Sequence, residues 1–412
     1  MDIVSTLLRY CAEEAPEGVR AVMRLSILDW AACGVAGAAE GAFSDWARGQ
    51  GGQGPCLCFD GGLSGPAEAA LVNGTLSHAL DYDDTHFAHI GHPSVVVVSA
   101  ALAAAQAEGA DMKTFLDAAL AGAEASVAMG LWLGRAHYQV GLHQTATAGA
   151  FGACVAAGRV MALDEAQMRH AIGLVATMAS GLKVQFGTMG KPLNAGLAAR
   201  AGVEAAMWAR MGMTGAGKGA DAFGAIMHGV GEQVDFGWRM DAVSHKFHAC
   251  CHGLHATLEA VRGADLAGAA RVEVFTHPRW MSVCNQQDPD TGLGVKFSYR
   301  HVIAMAAYGH STADTAAYTD AGATDPALSG YRSRVSVTAD ETLTEMQARV
   351  LVDGVPYTHD LAAPLSFETR KARVLSKALA LAGPAAEALW HALDLGDLPA
   401  FASALKPAQQ EA

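Results

Sequence analysis

The sequence predicts a mainly α protein, a large all-helical domain joined to a smaller α/β (α+β) lid domain, and three observations carry that prediction. From the start to about position 262, apolar residues recur at helical spacing in an Ala-rich background with few β-branched runs. After Gly263 the period changes to two, in Arg271-Val272-Glu273-Val274-Phe275-Thr276 and again in Arg334-Val335-Ser336-Val337. Further on, Gln347 to Val352 alternates into Asp353-Gly354 and Val355-Pro356-Tyr357 follows, which is the pattern of a β-hairpin. The expected boundaries are 1–264 with 386–412 for the helical domain and 265–385 for the second.

The elements follow in order. Thr85 to Ala107 and Ala136 to Gly158 run without a charge, but their His, Gln and Pro93 fit buried helices with a polar end better than membrane spans. A helix is expected from Asp164, an N-cap with Gln167 three places on, whose apolar face is Met168, Ala171, Ile172 and Val175. Ser298 to Tyr308 and Ser311 to Tyr318 read as helices between the strands. Ala385 to Leu405 reads as a helical return to the first domain. The 46 glycines, with the many alanines, imply helices that approach closely.

Composition narrows the function. In 412 residues, 51% hydrophobic and 17% charged, disorder is excluded as the main state, and two domains are the natural division. Net charge −13 argues against a nucleic-acid partner. The start, MDIVSTLLRYCAEEAP, lacks the pattern of a signal peptide, so a cytoplasmic protein with no membrane partner is expected. The eight cysteines are too sparse for a disulfide scaffold, and Cys56 and Cys58 are expected as loop thiols.

Histidine is the informative residue. Eight of the 17 fall in two windows: 78, 86, 89 and 92, then 245, 248, 252 and 255. The first window adds Asp81, Asp83, Asp84 and Thr85, a density of titratable groups that points to a site, because unpaired burial of charge is costly. His137, Tyr138 and His143 precede small residues that would open a helix start toward a cavity, where free N–H groups attract anions. Lys191 lies in FGTMGKPLNAG, in an apolar neighbourhood suited to holding an anionic ligand. In HKFHACCHGLHA the i, i+4 spacing of His248 and His252 raises zinc. It is set aside because no carboxylate separates them and Cys250 and Cys251 would diverge on a helix, so no metal and no cofactor are expected.

At these segments the chain resembles the MmgE/PrpD family, which includes 2-methylcitrate dehydratase, cis-aconitate decarboxylase and iminodisuccinate epimerase. The matching stretches are ALDYDDTHFAHIGHPS, GLHQTATAGAFGA, FGTMGKPLNAG, HKFHACCHGLHA and GVKFSYRHVIAMAAYG, in order, from about residue 20 to about 375. The resemblance implies a homodimer, a site in a cleft between helical domain and lid, and catalysis without metal, cluster or organic cofactor. It marks Asp81, Thr85, His92, His143 and Lys191, with Lys246 and Cys251 at the corresponding later places. Cys251 stands where the decarboxylases carry a catalytic histidine, and Asn194 where a histidine is commoner.

Removing a proton α to a carboxylate builds an enediolate, which needs nearby cations and a positioned base. Lys191, with Lys246, would neutralise substrate carboxylates, and His143 or His92 would be the base. Tyr138 or the other histidine would be the acid, and Asp81 would orient an imidazole. Thr85, His89, Lys246 and Cys251 complete the expected substrate contacts. The expected activity is that of a dehydratase acting on a small di- or tricarboxylate, with epimerisation of a dicarboxylate such as iminodisuccinate as the alternative, and with cis-aconitate-type decarboxylation or carboxylate binding without catalysis ranked below it.

Overall fold

A computed structural model describes residues 2–406. The chain is mainly α, and it divides into two compact units, one running to His245 and resuming at Val374, the other Lys246–Arg373. The change of period after Gly263 thus falls inside the second unit, because the His255–Ala260 helix packs on the strands Gln347–Val352 and Val355–Asp360.

In the first unit, Pro66–Leu76, Pro93–Glu108, Met112–Gln139, Gln144–Val160 and Gly190–Arg210 form a helical core. These helices are buried on most of their surface, as their small side chains and uniform apolarity require. Close approach is specific. A Cβ at Gly122 or Gly152 would come within 2.5 Å of the other's carbonyl oxygen, so the helices Met112–Gln139 and Gln144–Val160 touch backbone to backbone. A Cβ at Gly196 would stand 2.2 Å from Thr75 Oγ1 and 2.3 Å from the Leu71 carbonyl. That contact sets the Gly190–Arg210 helix, and Lys191 in its first turn, against the helix that leads to His78. Two helices, Glu17–Ala38 and Met112–Gln139, are long and apolar enough to cross a membrane by length and composition, and both are largely buried within the protein.

The Asp164 capping box forms as expected, with Met168, Ala171, Ile172 and Val175 buried. Cys58 lies in the loop after a short strand, as expected, but Cys56 does not. Cys56 begins a two-residue strand, both are buried, and the Cys56 thiol donates to the Ala103 carbonyl at 3.2 Å.

The second unit carries a four-stranded sheet in the order Val335–Ala339, Val272–Thr276, Gln347–Val352, Val355–Asp360. The first pair is parallel and the other two antiparallel. Asp353 and Gly354 both have positive φ (49° and 83°), as the two-residue hairpin turn read from the sequence demands. The helix expected over Ser311–Tyr318 is reduced to a 3-10 turn at Thr315–Ala317. There the Asp314 carboxylate accepts from the Ala316 N–H and the Tyr318 hydroxyl donates to the Thr312 carbonyl, local bonds that compete with helix formation. Helices Ala385–Leu395 and Leu398–Ala404 belong to the first unit.

Candidate active site

Three helix starts converge in the first unit. His92 is the N-cap of Pro93–Glu108, His143 that of Gln144–Val160, and Lys191 lies one residue into Gly190–Arg210. None of the three is capped by its own N-cap side chain. The His92 N–H donates to Thr145 Oγ1 at 3.1 Å, tying the first start to the second. Their macrodipoles share one positive end, a setting for an anion.

Into this point the 78–84 segment brings His78, Asp81 and Asp83. The Lys191 ammonium donates to Asp81 Oδ1 at 2.7 Å and to His78 Nε2 at 3.2 Å. An ammonium can only donate, so His78 Nε2 accepts and its proton lies on Nδ1, which reaches the Asp83 carboxylate at 2.9 Å. The other Asp83 oxygen lies 2.9 Å from His92 Nδ1. His92 Nε2 faces Asp81 across 3.4 Å, on the side where Asp81 is about one-third exposed. Burial opposes ionisation of Asp83, but the facing His78 and His92 hold its carboxyl well below the usual range. Asp83, rather than Asp81, makes the shorter contacts with the imidazoles.

His143 is held differently. The Asn194 amide nitrogen stands 3.2 Å from both His143 Nδ1 and the Leu182 carbonyl. A carbonyl only accepts, which identifies that atom as the nitrogen, so Nδ1 of His143 accepts and Nε2 carries the proton. Burial, then Lys191, His78 and His92, depress the His143 pKa well below the ordinary value and keep the ring neutral. His143 stacks at 6.0 Å on His78 and meets Phe186 edge-on at 5.0 Å. His143 is therefore a neutral hydrogen-bond donor.

His78, Asp81, Asp83 and His92 also offer ligand atoms within 4.8 Å of one another, a metal-capable group among the described residues at a place where the sequence suggested none. The donors are committed to one another, and the Lys191 ammonium already supplies a positive charge there. Asn194 also lines a cavity of about 390 Å³ with Gly181, Leu182 and Gln185.

The other expected residues are placed as follows. Thr85 pairs with Ser244 through both main-chain hydrogen bonds and anchors the end of the DYDDT turn. Tyr138 lies with its ring 3.7 Å beneath the Lys183 ammonium. His89 is fully buried, with neither ring nitrogen hydrogen-bonded, and burial drives its pKa down to about 3.

Lys246 and Cys251 belong to the second unit, where Lys246 is buried and Cys251 is a reduced thiol that lies near the reduced thiol of Cys284. The segment around them is not the helix that the i, i+4 histidines suggested. It is an irregular run ending in a 3-10 turn at His252–Leu254. His248 instead pairs with Glu259 at 3.0 Å and Thr312 at 2.7 Å. His252 packs on His255 at 4.5 Å. His78, Asp83 and Asn194 were not singled out by sequence as site members. Only the local density of titratable groups, and a non-histidine at 194, hinted at them.

The family model described as the MmgE/PrpD N-terminal domain matches residues 2–236, and that of the MmgE/PrpD C-terminal domain matches 248–386. Among curated proteins, a cis-aconitate decarboxylase of Aspergillus terreus is 28% identical over 280 residues, covering 58% of this chain and 57% of the relative. A cis-aconitate decarboxylase-like protein of Aspergillus oryzae is 28% identical over 222 residues, covering 48% and 46%. The cis-aconitate decarboxylase of Homo sapiens is 32% identical over 155 residues, covering 36% and 32%. The matched regions span about half the length of the first two relatives and a third of the human one.

Proposed function

The chain belongs to the MmgE/PrpD family, and from that premise we propose that it is a cofactor-independent lyase of the 2-methylcitrate dehydratase type, acting on a small di- or tricarboxylate. One observation carries the reading. A carboxylate seat, a neutral His143 and a His92 backed by Asp83 meet at one point. Lys191 and the three helix starts attract the substrate carboxylate. His92 Nε2 takes the proton from the carbon α to it, with Asp83 stabilising the imidazolium that forms. The neutral His143 donates a hydrogen bond from Nε2 to the hydroxyl on the adjacent carbon, and the His92 imidazolium delivers to that oxygen the proton it took. A C–H and a C–O bond break, a C=C bond forms, and water departs, leaving both histidines as they began.

A second reading, decarboxylation of the same substrate class, is favoured by the names of the relatives. Cys251, at the place where the family resemblance implies a histidine in decarboxylases, favours dehydration over it. The reading includes a cytoplasmic homodimer. Exposed Leu182, Val184, Phe186, Met189 and Leu197 beside the site support a self-association face.

The test is proton NMR in D₂O of chelator-treated protein with 2-methylcitrate, cis-aconitate, citrate and iminodisuccinate. Conversion of a hydroxy acid to an alkene supports dehydration. Loss of a carboxylate as CO₂ supports the second reading. Deuterium at the α-carbon with the skeleton intact makes the protein an epimerase, and no change with any of the four overturns the proposal.

A further inference from the structure

The turn that carries the site's two carboxylates is held from two sides. Lys191 meets Asp81 on one side. On the other, Lys377, from the part of the Phe367–Ala382 helix that belongs to the first unit, donates to the Tyr82 carbonyl at 2.5 Å. The Lys377 ammonium also stands 2.6 Å from Asp29 Oδ1 and 4.0 Å from the centre of the Tyr82 ring. Both partners of this ion pair are buried, Lys377 at 5% exposure and Asp29 at 1%.

The turn needs such a hold. Asp81 has φ 51°, in the left-handed region that a side chain enters only when its surroundings over-determine it. The Tyr82 carbonyl belongs to the peptide plane that leads into Asp83. Fixing that oxygen fixes the direction in which Asp83 departs toward His78 and His92. A lysine spent on burial alone would be a poor stabiliser, because desolvating both ions offsets their attraction.

We propose that Lys377 is a positioning residue: anchored by Asp29, it pins the Tyr82 carbonyl and so aims Asp81 at Lys191 and Asp83 at the two imidazoles. The proposal rests on the reading of His92 as base, and Lys377 itself touches none of the reacting groups. Burial drives the Asp29 pKa up and Lys377 opposes it, so Asp29 has to be neutralised together with the lysine when the pin is removed.

The test compares wild type with the double variant Asp29→Asn/Lys377→Met, which removes the pin without stranding a charge. A Lys377→Arg variant is made alongside; it keeps the charge for Asp29 but displaces the donor from Tyr82. The folded variants are expected to lose ~10-fold or more in kcat with KM within ~3-fold, as for a misaligned base rather than a lost binding contact. Ring NMR signals of His78 and His92 should move while that of His143, held by Asn194 from another helix, stays in place.

Unchanged kcat with unmoved His78 and His92 signals in a folded variant overturns the proposal, as does equal movement of all three rings. If wild type acts on none of the acids tried, the functional reading fails, while the histidine signals, which need no substrate, still decide the role of Lys377.

Discussion

The side-chain amide of Asn194 donates to Nδ1 of His143 at 3.2 Å, and this one bond decides which nitrogen of the imidazole carries the proton. An Asn194→Asp enzyme would offer an acceptor instead, draw the proton to Nδ1 and leave Nε2 bare. The expected outcome is a loss in kcat of ~100-fold or more with KM within a few-fold, measured by steady-state kinetics on the acid found active. Asn194→Ala, which removes the donor without supplying an acceptor, should be milder.

His92 and Asp83 act as a pair at 2.9 Å. His92→Gln should lower kcat by ~10²–10⁴-fold. Asp83→Asn should lower it less, because the base remains. A double variant no worse than His92→Gln alone would show that Asp83 works through the imidazole.

Lys191 is the cation of the site, 2.7 Å from Asp81. Lys191→Met is expected to raise KM for a tricarboxylate by ~10-fold or more, together with a fall in kcat. Chelator treatment should leave turnover unchanged. Activity lost to a chelator and restored by a divalent ion would assign the His78, Asp81, Asp83 and His92 group to a metal instead.

His89 gives a stability prediction with a definite sign. Its native pKa of about 3 lies below the ordinary 6.5, so the unfolded state binds the proton first as pH falls. The native state therefore loses on the order of 1 kcal/mol per pH unit from this group between about 6.5 and 3. His89→Leu, which removes two buried polar atoms without partners, should flatten that acid-side slope in urea unfolding and leave kcat within ~2-fold.

The helical core, the hairpin and the Asp164 cap were legible because each is written in local period, turn chemistry or capping. The site was legible as a neighbourhood but not as a set of roles. In Asp81-Tyr82-Asp83-Asp84 three chemically equivalent carboxylates sit within four residues. Only the left-handed φ of Asp81 and the contacts made by Lys191, His78 and His92 separate them: Asp81 to the ammonium, Asp83 to the imidazoles, Asp84 to Ser94. Burial, with Asp29 nearby, pushes Asp84 up to about 7, a difference no local pattern records. The histidines at 248 and 252 show the converse. Their spacing matches a helix turn, but the chain there bends so that His248 meets Glu259 and Thr312.

The three helix starts at His92, His143 and Lys191 have a bearing on how such a scaffold can diversify. Main-chain amides survive every codon change except one to proline. An anion seat built partly from them persists while the histidines, the asparagine behind one of them and the facing groups are exchanged. Descendants of one ancestral fold can then inherit recognition of a carboxylate and vary the bond that is broken beside it.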